Sequence, residues 1–71
     1  MQNAKTPISS QSQRLIKLAE VRQRTALSKT TIYLLIQQGK FPSSVRLGER
    51  AVAWAESEVD DWIADRITDR G

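Results

Sequence analysis

No cysteine and no histidine occur among these 71 residues. That excludes disulfide frameworks, zinc sites built on Cys and His, thiol nucleophiles and imidazole bases. Glycine is almost as scarce, at three residues, and nothing resembles a glycine-rich phosphate loop. Internal repeats and metal-ligand clusters are missing as well. No apolar run approaches the roughly 20 residues that span a bilayer, and the N-terminus lacks the charged-then-apolar pattern of a secretion signal. A domain this small buries only about 60% of its unfolded surface. With 39% hydrophobic residues, the core is thin and leaves no room for a deep substrate pocket. The expectation is a soluble cytoplasmic protein that is not an enzyme, with no cofactor or metal and no membrane or small-molecule partner.

What is present is charge, unevenly placed. Residues 1–50 hold nine basic side chains against Glu20 and Glu49, a net +7. Residues 51–71 hold Arg66 and Arg70 against six acids, a net −4. Asymmetry between halves points to a polyanionic partner for the basic half, with nucleic acid foremost. Chance segregation on an ordinary solvated surface is the plain alternative.

Residues 1–13 offer one notable apolar side chain, Ile8, among Gln, Asn, Ser, Thr, Lys and Pro. Such a composition buries too little to order itself, so a disordered tail is expected there, followed by one domain over 14–71. Residues 15–18 suit a brief extended segment leading into a helix over 19–24, with Leu18, Val21 and Leu27 on its buried side. Thr25-Ala26-Leu27 interrupts that helix. Ser28 is suited to cap the next one, its hydroxyl accepting an orphan backbone N–H. Within 29–38, Ile32, Leu35 and Ile36 form a narrow apolar stripe. Gly39 suits the left-handed position beyond the helix end, and Pro42 prevents resumption.

Two short helices joined by about three residues form a helix-turn-helix pattern. Two strand-like runs follow, 44–47 and 51–54, separated by Gly48-Glu49-Arg50, which suggests a hairpin. A hairpin directly after such a helix pair is a wing. The last helix is expected from 56 to 66 or 67, with Val59, Trp62, Ile63 and Ile67 on one face. Its acids come early and its arginines late, matching the macrodipole. Asp60 and Asp61 lie about 100° apart on that helix, which suits a solvated face rather than a catalytic pair. Trp54 and Trp62 are expected in the core. The fold class is thus mainly α with a small β-hairpin, a winged helix-turn-helix of three helices plus wing.

Four stretches carry a resemblance: Leu27-Ser28-Lys29-Thr30-Thr31-Ile32-Tyr33, then Gly39-Lys40-Phe41-Pro42, then the run from Val45 to Trp54, then Glu58-Val59-Asp60-Asp61-Trp62. With them, residues 15–62 resemble the AlpA family of prophage regulatory proteins, small DNA-binding proteins with a MerR-like or excisionase-like winged helix-turn-helix. The resemblance implies a bacterial, nucleoid-associated protein that controls integrase or excisionase genes in a prophage or integrated element. It also leaves open an excisionase-type recombination directionality factor that bends attachment-site DNA. A protein-interaction adaptor that uses the fold without DNA is the alternative from another class. Members of the family usually carry Gly where this chain has Ala26. A left-handed conformation costs about 1–2 kcal/mol more without Gly, so the turn is expected to survive with altered geometry.

If Ile32, Leu35 and Ile36 face the core, Thr30, Tyr33, Leu34 and Gln37 point outward. Ser28, Lys29 and Thr31 then sit at the helix N-terminus, the end that enters the major groove in helix-turn-helix docking. Lys29 can donate to guanine O6 or N7, and Gln37 can pair with adenine N6 and N7. Thr30 and Thr31 can meet phosphate oxygens or a thymine methyl. Tyr33 is either a half-buried aromatic or a hydroxyl that contacts phosphate, and Leu34 meets either a thymine methyl or another protein. Arg46 and Arg50 on the wing suit phosphates or a narrow minor groove, with Gly48 allowing close approach. An ion pair with Glu49 or a last-helix carboxylate is the alternative for either arginine. Arg22 and Arg24 are expected at phosphates, and the acidic last helix away from DNA. A recognition helix of about ten residues spans about 15 Å, enough for about four or five base pairs. That is too little to single out one genomic site, so double-stranded DNA is expected as partner together with self-association on repeated sites or an integrase.

Overall fold

In the computed structural model, which describes residues 14–70, the first helix ends as a left-handed turn. Helix α1 spans Leu18–Thr25, one residue longer at each end than expected. The Lys17 carbonyl accepts from both Glu20 and Val21 N–H groups and so starts the helix early. Ala26 follows at φ 63°, ψ 20°, its N–H bonded to the Arg22 carbonyl at 2.8 Å. Thr25 braces this turn from both sides. Its hydroxyl donates to the Val21 carbonyl at 2.8 Å and accepts from the Leu27 N–H at 3.2 Å.

Helix α2 spans Lys29–Gln37. Ser28 caps it as expected, its Oγ accepting from the Thr31 N–H at 3.1 Å. At the other end Gly39, φ +72°, donates to the Ile36 carbonyl, and Lys40 donates to the Leu35 carbonyl. Those two bonds make a Schellman closure, which depends on a residue that tolerates positive φ. Strands β2 (Val45–Arg46) and β3 (Val52–Ala55) follow. The Leu47 and Gly48 N–H groups share the Ala51 carbonyl, which leaves Gly48, Glu49 and Arg50 at the hairpin tip. Helix α3 spans Glu56–Asp69, running further than the apolar pattern suggested.

The brief extended segment at the start is a strand, β1 (Leu15–Ile16). It pairs antiparallel with β3, Leu15 opposite Ala55 and Ile16 opposite Trp54, while β2 pairs with the other edge of β3. The wing is therefore part of a three-stranded sheet in the order β1-β3-β2. The Arg14 carbonyl also accepts from the Glu56 N–H at 2.8 Å, fastening the start of β1 to the start of α3.

One buried side chain from nearly every element makes the core: Ile16, Val21, Ile32, Phe41, Trp54 and Val59. The expected stripes pack around them, with Leu18 and Leu27 from α1 and its turn, Leu35 and Ile36 from α2, and Ile63 from α3. The two tryptophans differ. Trp54 is wholly buried and its indole N–H donates to the Pro42 carbonyl at 3.1 Å. Trp62, expected in the core, is only half-buried. Its ring meets Phe41 edge-on at 4.9 Å and its N–H donates to the Lys40 carbonyl at 2.7 Å. Ile67 departs further and is 54% exposed, because the last turns of α3 extend beyond the elements that α3 packs against. The tail expected over 1–13 lies outside the described residues.

Candidate nucleic-acid interface

Burial of Ile32, with Leu35 and Ile36 beside it, turns the opposite face of α2 outward. Lys29, Thr30, Tyr33, Leu34 and Gln37 line one open depression along that face, Thr30, Tyr33, Leu34 and Gln37 pointing outward as the buried stripe predicts. Tyr33 lies at its side, its ring meeting Trp54 edge-on at 6.2 Å while its surface stays partly open. No carboxylate occurs in α2.

Ser28 and Thr31 are joined to each other rather than both free. The Ser28 hydroxyl donates to Thr31 Oγ1 at 3.0 Å while accepting the Thr31 N–H. Ser28 is thereby committed to the cap, and the Thr31 hydroxyl keeps its own hydrogen free to donate. A second shallow groove beside the helix start is bounded by Arg22, Gln23, Ala26 and Ser28, so Arg22 stands next to the α2 N-terminus. The partial positive charge at that terminus favours anions.

Arg46 and Arg50 are exposed, and among the described residues neither is in an ion pair. Arg46 stands opposite Val52. Val52 is two residues from Trp54, so the three share one face of the sheet, the face on which Tyr33 meets Trp54. Gly48 is open, with only the Ala51 Cβ at 4.0 Å from where a side chain would begin.

Arg24 is the correction. It was expected at phosphates beside Arg22, but its guanidinium is engaged by three carboxylates of its own chain. One nitrogen lies 2.6 Å from Glu20 and 2.7 Å from Glu56, and another lies 3.1 Å from Asp60. Hydrogen bonds to Glu20 and then Glu56 raise its pKa above its already high ordinary value, so it stays cationic at every pH the protein meets. The pair with Glu20 sits at i, i+4 and was visible as a spacing; the partners 32 and 36 residues away were not. Asp60 thus belongs to a structural clasp, while Asp61 is exposed. Arg66 is also occupied, bonded to Asp69 at 3.0 Å and lying 5.6 Å from the Trp62 ring centre.

A capped nine-residue helix presented behind a tight left-handed turn, with a β-hairpin after it, defines a small winged helix-turn-helix protein. The model of the family described as Prophage CP4-57 regulatory protein (AlpA) matches residues 14–67, and the chain belongs to that family. It is 47% identical over 58 residues to "Uncharacterized protein ORF88" of Enterobacteria phage P4, an alignment covering 82% of this chain and 66% of the phage protein. It is 32% identical over 59 residues to "DNA-binding transcriptional activator AlpA" of Escherichia coli K12, covering 75% of this chain and 84% of that one. This chain therefore spans just under two thirds of the phage P4 relative.

Proposed function

We propose that this protein is a sequence-specific DNA-binding transcriptional regulator of a prophage or integrated element, acting on integrase or excisionase genes. The observation that carries the reading is the outward face of α2. It offers one ammonium, two hydroxyls and an amide around Leu34, with no carboxylate to repel phosphate. The name of the E. coli relative supports the same direction.

In this docking the outward face of α2 lies along the major groove, its N-terminus foremost. Lys29 donates to guanine and Gln37 pairs with adenine, while Thr30 and Thr31 reach the adjoining backbone. Ser28 holds the helix start in place. Arg22, Arg46 and Arg50 meet phosphates and fix register without carrying sequence information, with Gly48 letting the wing tip approach closely. Arg24 takes no part, because its guanidinium is spent within the fold.

A footprint of the purified protein on the DNA flanking its gene tests the reading. Protection over a promoter, weakened by Gln37→Ala, is the expected result. Protection confined to attachment sites would instead make it an excision factor, and no binding to any duplex at low salt would overturn both.

A further inference from the structure

The side chain of Leu34 stands apart from its neighbours on α2. It is 49% exposed, whereas Leu35 and Ile36 beside it pack against the core. Tyr33 has a ring partner in Trp54; Leu34 has none. Its position is the middle of the outward depression, between Lys29 and Thr30 toward the N-terminus and Gln37 toward the C-terminus. The polar groups around it are a cation, two hydroxyls and an amide, all of them suited to a groove edged by phosphates and base acceptors.

We propose that Leu34 reads a thymine methyl group in the major groove and so makes this protein selective for an A·T pair at one position. The inference rests on the DNA-binding reading above and adds a base to it. The thymine C5-methyl is the apolar group that distinguishes T from the other bases on the major-groove edge. A leucine flanked by Lys29 and Gln37 meets it without displacing a hydrogen bond. Charge complementarity selects this occupant over a second protein: the depression holds no carboxylate, and the exposed arginines of the wing stand without ion-pair partners among the described residues.

The test uses the full chain and a duplex selected by it from a random-sequence pool. Each thymine in the selected site is replaced singly with uracil, which removes the methyl and nothing else. At one thymine the wild-type protein should lose affinity about fourfold, the usual effect of one lost buried methyl. Leu34→Ala should bind the thymine and uracil duplexes equally at that position. A uracil scan that is silent in the wild type, or a loss that persists in Leu34→Ala, overturns the proposal while leaving DNA binding standing. So does a free protein whose self-association, measured by sedimentation, disappears in Leu34→Ala. If no duplex is bound at low salt, the DNA-binding reading itself has failed and the thymine contact with it.

Discussion

Ala26 holds a left-handed backbone that glycine would adopt freely. The strain of an L side chain there is about 1–2 kcal/mol, offset by the roughly 0.5–1 kcal/mol that glycine's extra freedom costs the folded state. Ala26→Gly is therefore expected to stabilise the fold by about 0.5–1 kcal/mol, seen as a higher urea midpoint at an unchanged m-value. The tryptophans divide in the same way by environment. Trp54→Ala empties a wholly buried site and should cost about 3–5 kcal/mol, enough to unfold a domain this small. Trp62→Ala removes a half-buried ring and should cost roughly 1.5–3 kcal/mol, leaving a protein that still folds and binds; thermal unfolding of the two variants separates them.

Arg24 ties α1 to α3 through its bonds to Glu56 and Asp60. Arg24→Gln should lower the melting temperature yet leave the salt slope of DNA binding unchanged. Arg46→Ala and Arg50→Ala should do the reverse, each reducing that slope by about one unit with little effect on stability. Salt titrations of binding beside melting curves decide between the two roles. Much of this was readable from local pattern. Ser28 and Gly39 marked the ends of α2 because capping chemistry is written in single residues, and the Ile32, Leu35 and Ile36 stripe fixed which face turned outward. What could not be read were contacts between distant parts of the chain. A two-residue strand at Leu15 and Ile16 carries too little periodicity to name its partner. Glu56 and Asp60 gave no sign that they would converge on Arg24. The same blindness placed Trp62 too deep and α3 too short, since a helical stripe does not tell how far its support extends.

Charge is sorted along the chain, with the net +7 of residues 1–50 set against the net −4 that follows. In the proposed docking only four cations meet DNA, namely Arg22, Lys29, Arg46 and Arg50. With a slope near −0.9 for each neutralised phosphate, log affinity should fall with log salt at a slope of about −3 to −4. Raising salt from about 50 to about 200 mM should then weaken random-duplex binding by roughly two orders of magnitude. A much steeper slope would mean that more of the basic residues reach phosphate.

The pairing of β1 with β3 also sets a clock on biosynthesis. Ile16 is among the first residues of the fold to be made, yet its partner Trp54 comes near the end. At about 5–20 residues per second, a nascent chain waits roughly 2–8 s between them. Until Trp54 has been added, the two helices of the turn have no finished sheet to rest on, and their apolar stripes stay open to proteases and chaperones. A polypeptide cut short before Trp54 is consequently expected to be degraded rather than to persist as a partial product.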